Sequence, residues 1–436
     1  MTLDASARLE VDPLIDDPAT RIIVCCGAGG VGKTTTAAAL GVRAAERGRK
    51  VVVLTIDPAR RLAQSMGIDS LDNTPRRVKG IEGDGELHAM MLDMKRTFDE
   101  IVEAHADAER ARAILENPFY QSLSAGFAGT QEYMAMEKLG QLRGREEWDL
   151  IVVDTPPSRS ALDFLDAPKR LGSFLDGRFI KLLMAPAKVG GRAGMKFLNV
   201  GMSMMTGTLG KLLGGQLLRD VQTFVAAMDT MFGGFRTRAD ATYRLLQAPG
   251  TAFMVVAAPE RDALREAAYF VERLAAEDMP LAGLVLNRVH GSEAARLSAE
   301  RALAAAENLD ESGIVDQEPG KTGGRDAAAV SPESPAVDHS PEAREVPPDT
   351  PGSPSEVPEV PDAHDVHDVQ TAQQLTAGLL RLHAERMQVL AREQRTRDRF
   401  TALHPEVPVT EVPALPGDVH DLAGLRAIGT RLAAGS

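Results

Sequence analysis

Cysteine is nearly absent from this chain: 436 residues carry two, Cys25 and Cys26, side by side. Neighbours on a strand point to opposite faces, so the pair excludes a disulfide framework and a cysteine-based metal site. Packing is the expected role, with a reactive thiol beside a ligand as the alternative. Long uncharged apolar runs are missing too, and with no stretch of about 18 such residues a membrane-spanning helix is not expected. Residues 1–20 are acidic where a secretory signal is basic and then apolar, so the expected location is the cytoplasm, with peripheral membrane association as an option. Basic residues are in deficit, 49 against 62 acidic, and the formal net charge of −13 argues against nonspecific nucleic-acid binding.

What the chain does have is length and 44% hydrophobic residues, enough for a large core in one big or two ordinary domains. Strand-like apolar runs recur at Ile22–Cys26, Val51–Ile56, Leu87–Leu92, Leu150–Val153, Phe253–Ala258, Leu281–Leu286 and Val407–Val412, separated by helical stretches. That alternation predicts an α/β fold around a doubly wound, mostly parallel sheet, with ligands bound at the strands' carboxyl ends. Between Asp310 and Asp368 the composition shifts to Pro, Glu, Asp, Ser and Ala, too poor in large apolar groups to offset ordering entropy. The predicted organisation is a tail over 1–20, a core over 21–309 with a helical insertion near 170–245, a disordered linker over 310–368, and a return to the core over 369–436. His364 and His367, inside the linker, lack the rigid setting a metal site needs.

The strongest motif is Gly27-Ala28-Gly29-Gly30-Val31-Gly32-Lys33-Thr34, followed by Thr35, which completes a G-x-x-x-x-G-K-[ST] phosphate loop between a strand and an Ala-rich helix. Glycines let successive N–H groups wrap an anion, the Lys33 ammonium reaches the outer phosphates, and the Thr34 hydroxyl ligates Mg²⁺. The expected ligands are therefore a nucleoside triphosphate and magnesium. The run Val51–Ile56 ends at Asp57, placed to orient the attacking water or to hold the magnesium shell, against a helix N-cap as the plainer role. Leu150–Val153 ends in Asp154-Thr155-Pro156-Pro157, the form of a Walker B aspartate, against a carboxylate that merely caps a turn.

These residues resemble the ArsA type of P-loop ATPase, the family of the arsenite-pump ATPase and of the targeting ATPase for tail-anchored membrane proteins. The likeness rests on GAGGVGKTTT at 27–36, LTIDPARRLAQ at 54–64, VVDTPPSRSALDFLDAP at 152–168, LVLNR at 284–288 and VPALPGDVHDLAGL at 412–425, with wording most similar to actinobacterial members. It implies a deviant Walker A fold with an α-helical insertion, and an ATPase that cycles as a dimer. It also implies that Asp57 polarises the hydrolytic water, that Asp154 begins the second switch, and that Asn287 hydrogen-bonds adenine. The loop from Pro413 through Leu415 to Val419 would close over the base. Residues on their own leave Asn287 open to an ordinary turn role.

Three departures from the family pattern shape the expectations. Ala28 stands where the family's loop carries a lysine that crosses a dimer, which suggests pairing with a paralogue that keeps it, or else a homodimer without both crossing charges. No Cys lies beyond residue 26, so the metalloid-binding cysteines are missing, and no C-x-x-C pair offers an interface zinc site. Arg178–Arg219 holds Lys181, Lys188, Arg192, Lys196 and Lys211 with no acidic residue. Met184, Met195, Met202, Met204, Met205, Met228 and Met231 lie in that segment and its continuation. Methionine makes adaptable apolar surfaces, so this segment is either a groove for hydrophobic client helices or a membrane partner, or an ordinary packed helix pair. The expected function is ATP hydrolysis coupled to such clients; the alternatives are the energising subunit of an anion or metabolite transport system and a scaffold that barely hydrolyses.

Overall fold

In a computed structural model the described residues are 8–57, 61–118, 120–121, 130–156, 224, 234, 237–315 and 363–434. The Met-rich stretch, the second half of the 152–168 motif and most of the predicted linker lie outside them. The chain divides into one unit formed by Met1–Gly291 with Arg392–Ser436, and a second formed by Ser292–Ala391.

The first unit is built on strands β1 (Ile22–Cys26), β2 (Lys50–Thr55), β3 (Arg76–Arg77), β4 (Glu86–Met91), β5 (Leu150–Asp154), β6 (Thr251–Ala257), β7 (Leu281–Val289) and β8 (Val409–Pro413). Their order across the sheet is β3-β4-β2-β5-β1-β6-β7-β8, and all pairings are parallel except that of β3 with β4. The doubly wound parallel sheet expected from the alternating runs is what forms. β1, β5 and β6 are buried along their whole length, because a parallel sheet covered on both faces has no solvent side to accommodate polar alternation. β3, two exposed arginines, carries no apolar run and was not foreseen.

Helices α1 (Val11–Asp16), α2 (Lys33–Glu46), α3 (Arg61–Ser65), α4 (Met94–His105), α5 (Ala108–Leu115), α6 (Thr130–Gly144), α7 (Arg261–Ala276), α8 (Ala299–Val315), α9 (Ala363–Leu403) and α10 (Leu422–Ala434) follow in chain order. On one face α2 packs with α1 and α10 around Ile15, Leu40, Val53, Val152 and Leu425; on the other, α4, α6 and α7 pack around Tyr133, Leu139, Phe253 and Phe270. Cys25 and Cys26 fall into these two cores respectively, the alternation expected of adjacent strand residues.

Part of the expected tail is folded. Val11 and Ile15 are fully buried, Arg8 bridges Val409, and Asp12 and Asp16 pair with Arg43 and Arg47 of α2. Asp12 and Asp16 are thus ion-pair partners for a basic helix face, which composition alone does not distinguish from a solvated tail.

In the second unit, Ala302 and Ala306 of α8 and Ala377 and Ala384 of α9 are fully buried. Arg381 pairs with Asp310, and a ring nitrogen of His383 lies 2.8 Å from the Leu297 carbonyl. Both α8 and α9 run into the ends of the stretch predicted as linker, so 310–315 and 363–368 are helical.

Candidate functional site

β1 sits where the chain's path across the sheet reverses, with β5 on one side and β6 on the other, and such a switch point opens a crevice at the carboxyl ends of the strands. The glycine-rich loop fills that position, leading from Cys26 into α2. Two of its glycines are required by geometry. At Gly27 φ is +145° and a Cβ would lie 2.0 Å from the Val256 carbonyl oxygen; at Gly32 φ is +96° and a Cβ would lie 2.3 Å from Nδ2 of Asn287. Either substitution pushes the loop off the sheet. Gly32 ends the loop without capping α2 by a side chain, so the first-turn N–H groups and the helix dipole face the crevice, the arrangement that receives an anion.

Lys33 is buried and donates from Nζ to the Ala28 carbonyl at 2.7 Å, folding back over its own loop. Burial pulls its pKa below the ordinary lysine value, opposed chiefly by the charges of Asp154 and Asp57. The thiols are pushed the other way, Cys25 well upward and Cys26 to about 12, in both cases mainly by burial. Both cysteines are buried, the setting in which the residue packs as a small apolar group, and that favours packing over a reactive thiol.

Asp154, fully buried at the tip of β5, is the centre of the site. Its Oδ2 accepts from Thr34 Oγ1 at 2.7 Å and from Thr55 Oγ1 at 2.8 Å, while Oδ1 is buried with no hydrogen-bond partner. Burial lifts its pKa to about 6, against hydrogen bonds from Thr34 and Thr55 and the Lys33 charge. A buried carboxylate oxygen left without a donor is costly unless a ligand supplies one. The water shell of a magnesium ion, held beside Thr34, is such a donor, and the residues present fit it. Among the described residues no group of three or more His, Cys, Asp and Glu is placed to hold a metal. Mg²⁺ does not need one, since it binds through one or two protein groups plus phosphate and water.

Asp57 follows β2 on the same side, within electrostatic reach of both Lys33 and Asp154. Thr55 is the residue that sequence reasoning passed over. It pairs in register with Asp154 across the β2–β5 ladder, and its hydroxyl also accepts from the Asp57 N–H at 3.2 Å. Its only trace in the sequence is a hydroxyl at a predicted strand tip, and the partner is about a hundred residues away.

Asn287 lies near the end of β7, buried, and its Nδ2 donates to the Val31 carbonyl at 2.8 Å, so the side chain props the phosphate loop. Beside it opens a cavity of about 660 Å³ bordered by Gly32, Thr35, Asn287, Arg288 and the segment Pro413–Val419, including Leu415. That volume is in the range of small-molecule sites. Arg288 is bulged out of the β7–β8 ladder with φ +61°, and His290 holds Glu393 from its ring at 2.6 Å; both line the cavity and neither was foreseen. The structure thus brings together residues 27–35, Asp57, Asp154, Asn287 and the 413–419 loop at one crevice. Pro157 and the rest of the second predicted switch lie outside the described residues.

Fold and loop together define an α/β protein of the phosphate-loop nucleotide-binding class. The sequence pattern of the family described as anion-transporting ATPase, the ArsA ATPases, matches residues 20–311, and the chain belongs to that ATPase family. Similar proteins include the ATPase GET3 of Malassezia globosa, 29% identical over 39% of this chain and 49% of that protein, and the ATPase GET3 of Podospora anserina, 25% identical over 68% and 83%. The ATPase ARSA2 of Chlamydomonas reinhardtii is 26% identical over 63% of this chain and 70% of its own. No helix among the described residues is long and apolar enough to cross a membrane.

Proposed function

We propose that this ATPase hydrolyses ATP to ADP and phosphate at the Gly27–Thr35 crevice with magnesium, and uses the cycle to open and close a dimer around a hydrophobic client or membrane partner. The observation that carries the chemistry is Asp154. It is buried, gripped on one oxygen by the loop threonine and on the other left without a donor, an arrangement whose desolvation cost is offset only when a cation shell arrives.

Each residue then has a task. The N–H groups of Gly29 to Lys33 cradle phosphate oxygens, and Lys33 leaves the Ala28 carbonyl to neutralise the outer phosphates. Thr34 and Asp154 would hold the magnesium, which when bound would draw charge from the phosphoryl oxygens. Asp57 accepts a hydrogen bond from the attacking water and aligns it with the terminal phosphorus; in the alternative it would share in the metal's outer shell. Asn287 and the Pro413, Leu415 and Val419 wall enclose the base in the 660 Å³ cavity. Asp57→Asn should leave nucleotide affinity within about threefold and lower kcat by about 10²-fold or more, measured by calorimetry and phosphate release. Calorimetry that finds no magnesium-dependent uptake of adenine nucleotide rejects this function.

Ala28 supports the idea of a partner subunit. It is buried, has no charge to offer across an interface, and its carbonyl takes Lys33. A paralogue carrying lysine at that position would complete this site in trans; full ATPase activity of the homodimer alone rejects the pairing. Clients are favoured over a transport partner by the methionines of 184–231 and by the missing metalloid cysteines. Co-purification with a stoichiometric integral-membrane protein would support the transport reading instead, and nucleotide binding without turnover the scaffold reading.

A further inference from the structure

We propose that Thr55 is the positioning residue that ties the two acidic strand tips, Asp57 after β2 and Asp154 on β5, into one magnesium-dependent unit. The inference rests on the proposed binding of magnesium and ATP at this crevice and adds a residue to it.

A hydroxyl has one proton to give and two lone pairs to receive with. Around Thr55 Oγ1 stand Asp154 Oδ2 at 2.8 Å, the Asp57 N–H nitrogen at 3.2 Å and the Asp57 carbonyl oxygen at 3.4 Å. The nearer, charged acceptor takes the proton, because hydrogen bonds to an ionised group are the shorter and stronger ones. A lone pair then receives the Asp57 N–H. One side chain therefore grips the carboxylate of one strand tip and the backbone of the other.

The grip is directional. Thr34 and Thr55 both donate to Oδ2, which fixes the carboxylate's rotation and leaves Oδ1 as the oxygen without a partner. Thr55 is 1% exposed, so no bulk water stands ready to replace its hydroxyl. Remove it, and the Asp154 carboxylate keeps only the Thr34 tether, itself on the loop that nucleotide must move against, while the Asp57 N–H loses its bond to the hydroxyl. A carboxylate free to turn presents its open oxygen to the metal shell only part of the time. Residues holding a metal's ligands in this way typically matter by about 10- to 100-fold in metal affinity or rate.

Thr55→Val keeps the shape and deletes the hydroxyl; Thr55→Ser keeps the hydroxyl. With a fluorescent ATP analogue, the valine variant should bind in EDTA within about twofold of wild type yet need about tenfold more magnesium for half-saturation. Its kcat should fall about 10- to 100-fold with KM changed less than about threefold, and serine should restore both. A purely packing role would instead lower the melting temperature and the EDTA affinity, and serine would rescue neither. Should the valine variant not fold, Thr55→Ala replaces it and the same outcomes decide. A folded variant with wild-type magnesium dependence and kcat overturns the inference while leaving the nucleotide site intact. A wild-type protein that shows no magnesium dependence at all overturns the functional reading beneath it.

Discussion

Two buried cations at opposite ends of the same sheet make a useful contrast. Arg49, at the amino end of β2, donates to the carbonyls of Ile15, Asp17, Thr20 and Asp149, at 2.6–3.2 Å. Lys33, at the carboxyl end, donates from Nζ to a single carbonyl, and beside it Asp154 keeps one oxygen without a donor. The first end spends its polar groups on closing the structure. At the second, hydrogen-bonding capacity and charge are held in reserve, a state that lowers stability and is relieved by a ligand. The lesson is that burial of charge says little by itself; what the charge is bonded to separates a staple from a site.

That contrast can be broken by substitution, beginning where the effect is largest. Arg49→Ala takes the guanidinium donor from the carbonyls of Ile15, Thr20 and Asp149 and leaves that of Asp17 with the Thr20 N–H alone, and should lower unfolding stability by about 3–5 kcal/mol in denaturant melts. Nucleotide affinity of the remaining folded protein should hardly move; a stable Arg49→Ala protein that no longer binds nucleotide would show that the two ends are not separate.

Lys33→Met should do the reverse. Removing a desolvated ammonium should leave the melting temperature of the nucleotide-free protein unchanged or raised, while phosphate release falls by about 10²–10³-fold. Loss of stability in that variant would mean that Lys33 is a staple after all.

Asn287→Ala sharpens the middle ground, since this side chain both props the loop and walls the cavity. Loss of its bond to Val31 should weaken nucleotide binding by about 1–3 kcal/mol, read by calorimetry. A change confined to stability would place it on the staple side.

The smallest effect lies on α1. Asp12 has its pKa held below the ordinary 3.8, first by the hydrogen bond from Arg43 and then by the charges of Arg43 and Arg47, against burial. A carboxylate with a depressed folded pKa contributes stability above its unfolded value and loses it as pH falls through the folded one. Asp12→Asn should therefore lower stability by no more than about 1 kcal/mol at pH 7, because the pair is partly exposed. The gap to wild type should narrow below pH 3.8 and close under the folded pKa, as melts across that range would record.

Legibility followed locality. Each apolar run expected as a strand lies on an observed one; at β1, β5 and β6 the reason is plain, because a strand buried on both faces needs a continuous apolar segment and little else. Boundaries moved by one to three residues, as at β7, which runs on through Asn287 to Val289 by way of a bulge at Arg288. α1 was hidden because its evidence is non-local: Val11 and Ile15 read as core only once α10 and α2 are beside them. At the site, residues 27–35, Asp57 and Asp154 were legible from motif and strand-end position. The Asn287 bond to Val31, the Thr55 relay and the His290–Glu393 pair on the cavity wall were not, since they join positions far apart in the chain.

Sequence alone determined the family of chemistry. A loop of glycines that can take positive φ, a lysine, a hydroxyl and a helix start are contiguous, and their joint preference for phosphate is written in ten residues. Tertiary structure decided which groups are satisfied and which are kept waiting. Thr34 and Thr55 arrive on one oxygen of Asp154 and leave the other without a donor. Thr55 comes there through the register of β2 and β5, between positions 99 residues apart, and no local pattern encodes that meeting.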